Sequence, residues 1–124
     1  MTRVLVVEDD PWVAWLIADE LAERGYQVAT AGNGVDALQQ VKQARPDVIV
    51  LDLMLPIMSG WDFVEQYTDT TAGESLPILV VSAAGAVTRS MEAQGVRCYL
   101  RKPFDMEELA RCVAETASTA PVPV

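Results

Sequence analysis

Two hydrophobic patterns alternate along this chain. Short apolar runs rich in β-branched residues occur at Val4–Val7, Gln27–Ala31, Val48–Leu51, Ile78–Val81 and Cys98–Leu100. Segments with apolar residues at helical spacing lie at about 12–24, 34–44, 60–68, 86–94 and 105–117. In the first of these, Val13, Leu16, Ile17 and Leu21 share one face; in the last, Met106, Leu109, Ala110 and Val113 do so. Gly25 reads as the C-terminal cap of the first helix. Pro11 suits a first helical residue, and Asp10 before it suits the N-cap, where a side-chain oxygen takes up free amides.

Strand and helix signals that alternate five times predict a parallel sheet with helices on both faces. The strand runs are continuously apolar, as burial on both sides requires. Right-handed crossovers leave few topologies. The predicted architecture is an α/β fold with a five-stranded, doubly wound parallel sheet in the order 2-1-3-4-5. Residues 1–117 read as one domain with no internal repeat, and 118–124 as a Pro-containing tail or the start of a linker.

The chain has 124 residues, of which 51% are hydrophobic, enough for one domain with a real core. No apolar run is long enough to span a bilayer, and the N-terminus lacks a signal-peptide pattern, so the reading is cytoplasmic with no membrane partner. The net charge of −9 argues against direct nucleic-acid binding by this domain, which needs clustered Lys and Arg. With no histidine and only Cys98 and Cys112, a His/Cys zinc site is excluded. The two cysteines read as small, semi-buried residues, and a disulfide between them is not expected in a cytosolic protein.

The candidate chemistry lies where strand order reverses, beyond the carboxyl ends of the strands. In the predicted order this point falls between the first and third strands. The first strand runs into "VVEDDP" and the third ends at Asp52, so Glu8, Asp9 and Asp52 should converge. Three neighbouring carboxylates repel unless a cation neutralises them. Oxygen-only ligands favour a hard cation, and an open crevice suits Mg²⁺ better than Ca²⁺. The fourth strand ends at Ser82 and the fifth in "YLRKPF", so a hydroxyl and the Lys102 ammonium reach the same edge. Beside three acids, Lys102 is a plausible partner for a phosphate.

In order, "VLVVEDDP", "DVIVLDLMLPIMSGWD", "PILVVSA" and "YLRKPF" resemble the receiver domain of two-component response regulators, similar to the chemotaxis response regulator. The resemblance covers about residues 3–117 and implies a flavodoxin-like fold and a signalling switch. Carried over, it makes Asp52 the phosphorylated residue and Glu8 and Asp9 the acidic pair, with Asp9 the more direct ligand of Mg²⁺. It makes Met54 the residue whose backbone carbonyl completes the metal shell. Ser82 becomes the hydroxyl that bonds the phosphoryl group, Lys102 its counter-charge, and Tyr99 the aromatic that changes rotamer. It implies a cis bond before Pro103. The implied donor is a phosphohistidine on a sensor histidine kinase or phosphotransfer protein. The implied activity is catalysis of the domain's own aspartyl phosphorylation and dephosphorylation, not conventional enzymology.

Competing readings stay in view. An aspartyl-phosphate phosphatase wants a second acid two residues after the nucleophile, where Met54 stands. A receiver-like interaction module that no longer takes phosphate would not need the full set of acids, hydroxyl and lysine. Gly32, Asn33 and Gly34 read as a turn, since the lysine and spacing of a P-loop are missing. Trp61 is expected in or near the core. Trp12 and Trp15 fall off the apolar face of their helix, as half-exposed packing or, by the resemblance, a kinase-docking surface. The stretch from Ser82 to Lys102 is two residues shorter than in the commonest receivers, and the stripe of Val87 and Met91 is weak. This predicts a fourth helix that is short or poorly ordered until phosphorylation engages Ser82 and Tyr99.

Overall fold

A computed structural model describes residues 2–70, 77–83 and 96–118. The elements are β1 (Arg3–Val7), α1 (Pro11–Glu23), β2 (Gln27–Ala31), α2 (Gly34–Gln43), β3 (Val48–Leu51), α3 (Gly60–Thr70), β4 (Ile78–Ser82), β5 (Val96–Arg101) and α4 (Met106–Ser118). The expected helix at 86–94, its ordering and nearly all of the tail lie outside the described residues.

Five parallel strands form one sheet in the order β2-β1-β3-β4-β5. Val7 is level with Ala31 on one side and Leu51 on the other. The ladder runs one step further: Glu8 N donates to Ala31 O at 3.0 Å, and Asp52 N donates to Val7 O at 3.0 Å. Lys102 N donates to Ser82 O at 3.1 Å at the far end of the sheet. Backbone pairing therefore brings Glu8, Asp52, Ser82 and Lys102 to one edge.

Each central strand feeds two cores. Leu5, Val7, Ile49, Leu51, Ile78 and Val80 face Phe63, Val64 and Tyr67 of α3. Val4, Val6, Val48, Val50, Leu79 and Val81 face Ile17 and Leu21 of α1 and Leu109 and Val113 of α4. This two-sided burial is why the strand sequences show no polar alternation. β2 is an edge strand, and much of it is exposed.

The helix signals have visible causes. Asp10 Oδ1 accepts from the amides of Trp12 at 2.9 Å and Val13 at 3.4 Å, and Pro11 starts the helix. Gly25, at φ 97°, ends α1 in a conformation that a Cβ would strain. Asn33, within the predicted turn, also caps α2 by accepting from Asp36 N at 2.9 Å. On α1, Ile17 and Leu21 are buried and Val13 packs against the core, while Leu16 is half-buried at the margin.

Trp61 departs from expectation: it is 38% exposed. The inward stripe of α3 is Phe63, Val64 and Tyr67, and at about 100° per residue Trp61 lies roughly a third of a turn away from its centre. The Lys102–Pro103 peptide is cis, as the resemblance implies.

The loop from β3 to α3 folds back over the end of β3. Gly60 N donates to Leu53 O at 3.0 Å, and a Cβ on Gly60 would stand 2.6 Å from both Asp52 O and Leu53 Cα. Both obstacles are backbone, so neither can swing aside. Gly60→Ala should therefore destabilise the fold by about 1–3 kcal/mol, the usual range for forced overpacking. Urea unfolding of the two proteins measures this; an unchanged midpoint would show that the loop can shift freely.

Candidate functional site

The site grows from three strand ends. Asp52 follows β3 and is only 4% exposed. Its two oxygens have different partners: Oδ1 accepts from Met54 N at 2.9 Å, and Oδ2 accepts from Lys102 Nζ at 2.9 Å. Glu8 follows β1 and is equally buried. Its Oε2 accepts from the same ammonium at 3.0 Å, while Oε1 accepts a long bond from Asp10 N at 3.4 Å. Lys102 thus bridges the two buried acids from beyond β5.

Asp9 completes the group. One carboxylate oxygen from each of Glu8, Asp9 and Asp52 lies within 4.8 Å of the others, and Asp9 is exposed. An oxygen-only donor set of this spacing, open to water on the Asp9 side, fits a hard divalent cation. Beside it, a cleft of about 410 Å³ is lined by Glu8, Asp9, Pro11, Ala14 and Trp15 among others. Trp15 as a wall of this cleft was not legible in the sequence; the only signal was its place off the apolar face of α1. Trp12 and Trp15 are both exposed and stack with ring centroids 5.5 Å apart.

The remaining candidates occupy the same edge or its neighbourhood. Ser82 is fully buried at the end of β4. Since Leu51 is level with Val80, Ser82 stands near the height of Asp52 on the adjacent strand. Tyr99 pairs with Val80 from β5 and packs, partly buried, against the core on the α3 side. Met54 exposes its side chain while its backbone amide holds Asp52.

The family model for the response regulator receiver domain matches residues 4–114. The chain belongs to this family. It is 40% identical over 122 residues to the response regulator MprA of Mycobacterium leprae, covering 96% of this chain and 53% of that protein. The chain therefore spans about half the length of that relative. Among solved structures, the chemotaxis protein CheY4 of Vibrio cholerae superposes with a TM-score of 0.84 at 30% identity, covering 94% of this chain and 98% of that one. The receiver domain of Francisella response regulator 1452 gives a TM-score of 0.82 at 28% identity, covering 96% and 98%. In this receiver domain no helix among the described residues is long and apolar enough to cross a membrane.

The electrostatics of the receiver site are not balanced by Lys102 alone. Burial pushes the Glu8 carboxyl up to about 7; the Lys102 bond lowers it but does not compensate, and the neighbouring Asp52 raises it further. For Lys102, burial works against the charge, but hydrogen bonds to Asp52 and Glu8 outweigh it and hold the ammonium above its usual value. The receiver therefore keeps a permanent cation against two acids, one of which resists ionising.

This has a measurable consequence for the metal-free receiver. An acid whose folded pKa is raised stabilises the fold below its unfolded value, and that contribution is lost as pH rises through the folded value. For Glu8 the window runs from 4.5 to about 7. Glu8→Gln keeps the shape but cannot ionise. Relative to this variant, the unsubstituted protein should lose stability between pH 4.5 and about pH 7 when urea unfolding is followed in chelator. A stability difference that stays constant over that range would contradict the raised carboxyl.

Proposed function

We propose that this receiver domain is a phosphorylation-activated switch in which Asp52 accepts a phosphoryl group from a phosphohistidine. The observation that carries the reading is the fixed position of Asp52: 4% exposed, held by Met54 N and Lys102 Nζ, beside Glu8 and Asp9. A carboxylate oxygen of Asp52 attacks phosphorus as the P–N bond to the donor imidazole breaks. The imidazole nitrogen keeps the electron pair and takes a proton from water. Protein groups do little covalent work in such a transfer; they align the reactants and neutralise charge.

Lys102 is the fixed cation of the site. Its ammonium, already bonded to Asp52 Oδ2, can follow charge from that oxygen to the incoming phosphoryl oxygens. Glu8, Asp9 and Asp52, with the backbone carbonyl of Met54, would hold Mg²⁺, which would neutralise phosphoryl charge as it does in other phosphoryl-transfer sites. Ser82 would donate to a phosphoryl oxygen, and Tyr99 would follow it by a change of rotamer, altering the surface next to β5. The donor would be a sensor histidine kinase or phosphotransfer protein in the cytoplasm. The family match and the curated relatives support this reading.

Asp52→Asn is expected to abolish labelling by a small phosphodonor such as acetyl phosphate while leaving the circular dichroism spectrum unchanged. Equal labelling of the variant would transfer the role to another residue. Metal binding should depend on Asp9, whose carboxylate makes no bond to Lys102 and is the most open of the three. Since Trp15 lines the same cleft, Mg²⁺ should change tryptophan fluorescence in the unsubstituted protein. That change should weaken by tenfold or more in Asp9→Ala, about 1.4 kcal/mol or more of lost binding. An unaltered titration would remove Asp9 from the metal site.

A further inference from the structure

The second face of the sheet holds a pair of sulfur atoms that phosphoryl transfer does not use. Along β5 the register slips at Arg97: Val96 is level with Ile78, and Cys98 with Leu79. This extra residue breaks the alternation. Val96 and Tyr99 turn to the α3 core, whereas Cys98 and Leu100 turn to the core beneath α4. Cys112 lies in that second core, on the stripe of α4 that includes Leu109 and Val113, and is 5% exposed. Cys98 packs against the same cluster but is only partly buried. Glu115 and Thr116, one helical turn beyond Cys112 on α4, stand beside Cys98, so the two cysteines face each other where β5 packs on α4. A cleft of about 290 Å³ lined by Arg97, Cys98, Glu115 and Thr116 opens beside Cys98.

We infer that Cys98 and Cys112 form a peroxide-responsive dithiol that closes to an intramolecular disulfide joining β5 to α4. The pair is asymmetric, and the asymmetry assigns the roles. Cys98 faces the cleft, so it meets the oxidant. Cys112 is buried and does not line that cleft, so an oxidant does not reach it first and it is placed as the resolving sulfur.

The chemistry balances with hydrogen peroxide as oxidant. The Cys98 thiolate attacks one peroxide oxygen, the O–O bond breaks, and hydroxide leaves with the electron pair. Cys98 is now a sulfenic acid. The sulfur of Cys112 then attacks the sulfur of Cys98 and the S–O bond breaks. The departing hydroxide takes the Cys112 proton as water. Overall two thiols and one peroxide give one disulfide and two waters, and the sulfurs supply both electrons.

The test is treatment of the native chain with a small excess of hydrogen peroxide, followed by alkylation under denaturing conditions and mass analysis. The expected product is a monomer that has lost roughly 2 Da, carries no alkyl groups, yields a Cys98–Cys112 cross-linked peptide and regains both thiols in dithiothreitol. Cys112→Ser should stop at a Cys98 sulfenic acid that dimedone traps. Since replacement of a buried residue can loosen the core, the unsubstituted protein decides the matter by itself. Over-oxidation of Cys98 with Cys112 still free, a disulfide between two chains, or two intact thiols would each overturn the inference.

Discussion

The site depends on one ammonium group shared by two buried carboxylates. Lys102 Nζ reaches Asp52 Oδ2 and Glu8 Oε2 at 2.9 and 3.0 Å. Neither acid could be buried as a charge without such a partner, because an unpaired ion loses far more solvation than packing returns. The three residues come from beyond β1, β3 and β5, so the contact also ties the middle of the sheet to its far edge. Two acids against one cation leave the arrangement incompletely neutralised, and Glu8, raised first by its burial, is raised further by the neighbouring Asp52. The exposed Asp9 adds a third acid at the open side. An arrangement of this kind, acid-rich and open to water at Asp9, attracts further positive charge.

The surrounding fold holds the geometry by backbone rather than by side chains. Ladder bonds at Glu8, Asp52 and Lys102 set the heights of the strand ends. The β3–α3 loop passes so close to Asp52 that Gly60 has no room for a side chain. In the same loop Ile57 has φ 68° while being 84% exposed, a left-handed backbone that a β-branched residue adopts at a cost of about 1–2 kcal/mol. The loop therefore follows a path fixed at both ends, and Met54 N is delivered to Asp52 Oδ1 as part of that path. The bulge at Arg97 does comparable work in β5, since it sends Tyr99 to one core and Cys98 to the other.

Much of the fold and of the site could be read from residue order alone. Continuous apolar strands, the Asp10–Pro11 start, the Gly25 stop and the alternation of elements determined a doubly wound parallel sheet, because each reflects a local preference or a periodicity that the chain carries with it. That topology was enough to bring Glu8, Asp9, Asp52, Ser82 and Lys102 to one edge. Other features needed the tertiary structure. Trp61 was expected in or near the core, but its angle on α3 turned it outward, and that angle depends on which neighbours the helix packs against. The direct bridge from Lys102 to both acids, the cleft beside Trp15 and the meeting of Cys98 with Cys112 join residues far apart in sequence. Such contacts depend on strand register, a bulge and helix rotation to within a few ångströms. Local pattern carries no information at that scale, so the sequence by itself determined which groups share an edge, and only the packed structure decided which of them touch.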